Sequence, residues 1–185
     1  MFKYLVLVWC LWSQVAFGVG SAKVVEGDVV VDEEKIFILV ITSSGTSLPN
    51  GASTTIVYNQ VNDKGDGAKG MVGLASFDLA TGIFTSPKTA IYSLLAHCSV
   101  DFGSSLDDAE QYFIRMRLNG TSDDIAIGTR HPGSNALVNG LITSNVSVHY
   151  RLEKGDNLRV QAFQSSTVTK TTNTGQNCFW SILEQ

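Results

Sequence analysis

The chain is expected to fold as an all-β sandwich or jelly roll, and three observations predict this. Short runs rich in Val, Ile, Thr and aromatic residues recur about every ten residues, each closed by turn chemistry. The run Gln111–Leu118 alternates Tyr112, Ile114, Met116 and Leu118 with Arg115 and Arg117, the period of a strand with one wet face. At 185 residues, only 16% of them charged, the chain fits one domain with a sizeable core.

In order along the chain, Met1-Phe2-Lys3 supplies a positive start, and residues 4–17 are mostly apolar with small residues following. Residues 1–22 therefore read as a signal peptide, cleaved after Gly18 or Ala22. The apolar stretch is shorter than the ~20 residues that a spanning helix needs, so the mature protein is expected to be secreted, extracellular and not inserted in a membrane. Residues 23–35 form a short acidic leader, with Glu26, Asp28, Asp32, Glu33 and Glu34 around valines. It has no Gly-X-Y repeat and is too short for a coiled coil. Residues 36–185 are the globular domain.

Within it, strands are expected at 36–42, 54–59, 72–77, 89–102, 111–118, 124–128, 136–152, 158–164 and 178–183. Pro49-Asn50-Gly51, Asp78 to Gly82, Asn119-Gly120 and Asn139-Gly140 punctuate them. Only residues 106–112 admit a helical turn. Three runs break the one-face rule. In residues 90–100, Tyr92, Leu94 and Ala96 occupy one face while Ile91 and Leu95 occupy the other. Residues 36–41 and 179–183 are likewise apolar on both faces. A sheet apolar on both sides needs a cover beyond its own core.

No catalytic pattern stands out: there is no G-x-S-x-G, P-loop, H-E-x-x-H or C-x-x-C. His97, His131 and His149 are scattered, and an enzyme is not expected. The net charge of −4, with no interleaving of basic and aromatic residues, argues against nucleic acid. Asp107-Asp108 with Glu110, and Asp123-Asp124, leave calcium conceivable, although no EF-hand spacing exists and no ligand can be assigned. No other cofactor is expected. Asn119-Gly120-Thr121 and Asn145-Val146-Ser147 are glycosylation acceptors. The Ser/Thr-rich stretch 165–176 and Arg130-His131-Pro132-Gly133 read as exposed loops able to contact a partner. With Cys10 lost in the signal, Cys98 and Cys178 remain an even pair. An internal bond, free thiols and pairing between subunits are all open to it.

One stretch carries a resemblance. Thr81-Gly82-Ile83-Phe84-Thr85-Ser86-Pro87, followed by Tyr92 through an apolar run to His97, resembles the globular head of complement C1q, of the C1q and tumour-necrosis-factor-like superfamily. Ala90 stands where that family usually has Gly, and Leu94 where it has Phe. Val146-Ser147-Val148 with Leu152 to Val160 looks like the family's "G-S-V…L-x-x-G-D-x-V" hairpin, and Phe179-Trp180-Ser181-Ile182-Leu183 like its closing strand. The resemblance runs over about residues 35–185.

It implies a jelly roll of about ten strands, with Phe84, Tyr92, Phe163 and Phe179 in the core. It also implies that residues 36–41, 90–100 and 179–183 neighbour one another in one sheet, with Cys98 facing Cys178 across two antiparallel strands. Family members cover this sheet by packing three heads around a threefold axis, so a homotrimer is expected. Some relatives bind calcium. The implied function is recognition of glycan or microbial surfaces in innate defence; alternatives are a ligand for a cell-surface receptor, of synaptic-organiser or tumour-necrosis-factor-like kind, or a passive matrix component.

Overall fold

The computed structural model describes residues 22–25, 28–31, 34–62, 71–103, 111–121, 123–132 and 140–185. The bulk of the expected signal peptide and the acidic cluster Asp107, Asp108 and Glu110 lie outside the described residues, as do 106–110 of the expected helical turn. Gln111 and Tyr112 of that turn are strand. The chain divides into residues 1–34 and residues 35–185. In the first unit, β1 (Ala22–Val25) and β2 (Asp28–Val31) form an antiparallel hairpin.

The second unit begins with β3 (Phe37–Thr42), β4 (Ser47–Leu48), β5 (Ser53–Thr55) and β6 (Gln60–Val61). After a 3-10 turn at Leu74–Ser76 come β7 (Phe77–Asp78), β8 (Ile83–Thr85) and β9 (Ala90–Asp101). β10 (Gln111–Leu118), β11 (Asp124–Ile127), β12 (His131–Pro132) and β13 (Leu141–Leu152) follow. β14 (Asn157–Gln164), β15 (Lys170–Thr171) and β16 (Gly175–Glu184) complete the chain. One sheet has the order β13-β9-β16-β3-β6. The other has β11-β10-β14-β8-β7, with β12 also on β10 and β5 also on β14. All pairings are antiparallel. This is a jelly-roll β-sandwich, and the three two-faced apolar strands are indeed neighbours: β9, β16 and β3.

The inward faces close on each other. β9 turns in Tyr92, Leu94, Ala96 and Cys98, and β16 turns in Trp180 and Ile182; all are buried. β10 and β14 oppose them with Ile114, Met116, Leu158 and Val160. Trp180 lies at the centre, with Phe77 edge-on at 5.3 Å and Tyr58 tilted at 5.8 Å. Burying an indole of about 200 Å² at about 25 cal/mol per Å² contributes up to ~5 kcal/mol.

The Thr81 to Tyr92 motif has a local physical basis. Asp78 accepts from the Ala80 amide at 2.9 Å and the Thr81 hydroxyl at 2.6 Å, which closes the turn. Gly82 ends it at φ 69°, and a Cβ there would lie 2.5 Å from the Ile56 carbonyl oxygen. Only glycine fits both demands. Phe84 is then delivered inward, edge-on to Tyr92 at 5.6 Å. Ser86 is buried, its hydroxyl donating to the Lys88 carbonyl at 2.7 Å.

Several expectations need correction. Residues 146–160 are not a hairpin: β13 pairs β9, β14 pairs β10, and the turn at 153–156 crosses between sheets. Of residues 72–76, Val72 alone makes an antiparallel bridge, to Phe37, before Gly73 at φ 84° turns the chain into the 3-10 segment. Residues 57–59 leave the ladder after β5, Ile56 still donating to the Val160 carbonyl at 2.9 Å. Phe163 and Phe179 are not core. Both point outward and are half-buried, since their strands' inward positions are held by Ala162 and by Cys178 and Trp180. Phe163 stacks on Phe113 at 5.1 Å instead. The 165–176 stretch is not a free loop: β15 pairs β4, Ser166 and Thr172 are buried, and Gln164 donates to the Leu48 carbonyl at 2.8 Å.

Candidate functional site

Two surfaces remain after the core is filled: the outer faces of the two sheets. On the five-stranded sheet the register sets side chains in rows. One runs Asn145, His97, Phe179, Ile41; the next Ser147, Leu95, Ser181, Leu39; the next His149, Ser93, Leu183, Phe37. Ile91 extends the face at 50% exposure, with Leu95 at 39%, Leu183 at 40% and Phe37 at 36%. Apolar side chains thus prevail on β3 and β16, alternate with polar ones on β9, and on β13 are outnumbered by polar ones, Leu141 being exposed there. A hollow of about 250 Å³, lined by Leu39, Asn62, Gln176 and Phe179, lies beside the bulge where β16 slips against β3.

Both imidazoles on this face are already matched. The His97 ring stacks on Phe179 at 5.1 Å and 13°, and its Nδ1 bonds the Asn145 carboxamide oxygen. His149 Nδ1 meets the Ser93 hydroxyl at 2.8 Å. The two histidines share a face, which their scattered positions in the sequence do not reveal, but each has its own partner. The side chain of His131 lies outside the described residues. On the inner side of the same sheet, Cys98 and Cys178 are directly opposite in the ladder and form a disulfide. Their Cα atoms are 3.9 Å apart, closer than the ~4.4–6.8 Å usual for a disulfide and the ~4.5–5.5 Å of opposite residues in a ladder. The bond ties the start of β16 to β9.

The two acceptor asparagines fall in different places. Asn119 occupies the turn after β10 at φ 50°, exposed, with its amide donating to Asp156 at 2.8 Å. Asn145 is exposed on β13, in the row of His97 and Phe179. The acidic pair at 123–124 is unsuited to calcium. Asp124 directs one oxygen to Arg117 Nε at 2.8 Å and the other to Arg115 at 3.2 Å. Among the described residues no three His, Cys, Asp or Glu converge on a metal position, and no helix is long and apolar enough to cross a membrane. Arg130 is not a free loop cation either: its guanidinium lies 4.9 Å over the Phe113 ring.

Buried phenols do structural service. Tyr112 donates to the Cys98 carbonyl at 3.0 Å, and burial pushes its hydroxyl well above the ordinary tyrosine range. Tyr58 is raised for the same reason, with Tyr112 adding to the shift. Neither ionises at physiological pH.

This architecture is the jelly roll shared by C1q heads and tumour-necrosis-factor ligands. The Eiger TNF of S. frugiperda superposes with a TM-score of 0.57 at 9% identity, covering 83% of this chain and 94% of that one. The globular domain of zebrafish complement 1qA gives 0.55 at 12% identity, over 81% and 96%. Murine APRIL gives 0.56 at 10% identity, over 82% and 100%. No protein-family model and no curated protein sequence matches. The likeness is one of fold.

Proposed function

We propose that this is a secreted, non-catalytic binding protein that assembles as a homotrimer and recognises glycan or microbial-surface patterns, as in innate defence. One observation carries the reading: β3, β16 and β9 expose apolar side chains on their outer face, with Ile91, Leu95, Leu183 and Phe37 between 36% and 50% exposed, interrupted by Ser93, His97 and Ser181. A two-faced apolar sheet is what a self-associating strand sandwich requires. Three copies around an axis cover three such faces and present three equivalent sites, so weak contacts gain avidity on a repetitive surface. Residues 1–22 act as the signal peptide and 23–35 as the leader; neither nucleic acid nor membrane insertion has a part.

Of the two acceptors, Asn119 carries a glycan without obstructing assembly. Asn145 does not: a glycan beside His97 and Phe179 stands on the association face, so its occupancy and assembly exclude each other. The test is binding of the secreted protein to immobilised microbial and host glycans, with free sugar as competitor. Binding that free sugar abolishes supports the reading. Saturable binding to one cell type, insensitive to sugar, replaces it with a receptor ligand, the reading that the likeness to Eiger and APRIL favours. Failure of both leaves a passive matrix component.

A further inference from the structure

We propose that the outer face of the seven-stranded sheet carries an oxyanion site centred on Arg117 and Arg159, suited to the sulfate or carboxylate groups of an acidic polysaccharide. Arg117 and Arg159 are directly opposite each other in the β10–β14 register. Their side chains leave the same face with Cβ atoms about 5 Å apart, where like charges oppose each other. Arg115 stands one row away, opposite Gln161. Arg130, over Phe113, adds a fourth cation.

One carboxylate answers this group. Asp124 spends both oxygens on Arg115 and Arg117, and the side chains of these arginines are only 15% and 20% exposed, so they are held against the sheet. Asp78 pairs with Ile83, which is itself opposite Arg159, but its oxygens serve the Ala80 amide and the Thr81 hydroxyl. The Arg159 side chain makes no hydrogen bond or ion pair among the described residues, and its Nε is buried without a partner. The Arg115 Nε and the Gln161 Oε1 share that condition. Unpaired buried polar atoms are rare in folded proteins, and the two Nε–H donors among these, on one face, point to an absent acceptor.

The surroundings fit an acidic sugar. A terminal nitrogen of Arg159 lies over Gly120, where a Cβ would come within 2.6 Å, so that glycine makes room for the guanidinium. Ser53 and Thr55, on β5, add hydroxyls that already contact Arg115 and Gln161. Guanidinium forks match carboxylate and sulfate oxygens pairwise. A chain of net charge −4 does not gather four guanidiniums around one carboxylate as background.

The inference rests on the extracellular-binding reading but not on threefold assembly. Its test is calorimetric titration of the intact secreted protein with a sulfated, a uronate-bearing and a neutral oligosaccharide of equal length, at stepped salt. The acidic sugars are expected to bind with strong salt dependence, and the tighter of the two names the natural anion. Arg159→Gln, which breaks no ion pair among the described residues, should weaken that binding about tenfold or more without lowering the melting temperature. Arg117→Gln should weaken it comparably, whereas Arg151→Gln, on the other sheet and paired with Glu153, should change nothing. Equal loss in Arg151→Gln, or no loss in Arg159→Gln, overturns the site. Binding of neutral sugar alone also overturns it while leaving the glycan reading intact, and no binding of any sugar removes both.

Discussion

The two sheets share one core but face water in opposite ways. On the five-stranded sheet, leucine, isoleucine and phenylalanine side chains stand exposed while both imidazoles are matched: His97 by Asn145, His149 by Ser93. On the seven-stranded sheet the reverse holds. Arginines lie flat and half-buried, and the Nε of Arg115, the Nε of Arg159 and the Oε1 of Gln161 are buried without partners. On the reading proposed above, the first face awaits an apolar cover and the second an anion, so that a single sandwich would separate assembly from recognition.

The largest test of this division is the disulfide, which lies within the first sheet. Closing a separation of 80 residues stabilises the fold by ~4 kcal/mol on the chain-entropy account. Replacing Cys98 and Cys178 by serine should cost about that much in denaturant unfolding. It should also loosen β16 against β9, and so weaken assembly more than acidic-sugar binding. Next comes Gly82→Ala, which meets both a left-handed φ and the Ile56 carbonyl, for a loss of about 1–3 kcal/mol by the same measurement. It acts on the β7–β8 turn of the second sheet and should reduce sugar binding before assembly.

Leu95→Asp should leave monomer stability within about 0.5 kcal/mol, because the side chain is surface in the free chain. Its effect should be a shift to monomer by light scattering. Ser147→Ala abolishes the Asn145 acceptor without touching the His97 contact. In a glycosylating host it should raise the assembled fraction, read by mass spectrometry of the separated species. The smallest effect concerns Asp78. The Thr81 hydroxyl and the Ala80 amide hold its carboxyl below the usual value of 3.8. A carboxyl lowered by folding stabilises above its unfolded value and loses that contribution as pH falls through the folded one. The melting temperatures of wild type and Asp78→Asn should therefore converge as pH falls from about 5 toward 2.

The fold was largely legible because its signals are local. Turn residues, strand period and the Thr81 to Pro87 motif each report on a few neighbours, and the two-faced apolarity of residues 90–100 survives in the sheet. What escaped depends on pairing. Phe163 and Phe179 look like core by type, yet a one-residue change of phase puts an aromatic outside and Ala162 or Trp180 inside. The 146–160 hairpin failed because a short turn can join strands of different sheets as readily as of one. The arginine face left only a trace, in the alternation of Arg115 and Arg117 along one strand. That Arg159 stands across from Arg117 is a fact of register, and no spacing within either strand announces it.

The central claim is that the apolar face of β3, β16 and β9 is covered by further copies of this chain. The most direct measurement is the mass of the purified secreted protein in solution by light scattering, beside Leu95→Asp. A wild-type mass three times that of the mature chain, falling to one in the variant, is the expected result. A wild type that stays monomeric at concentrations well above micromolar, with Ile91 and Leu95 open to solvent, would contradict the account.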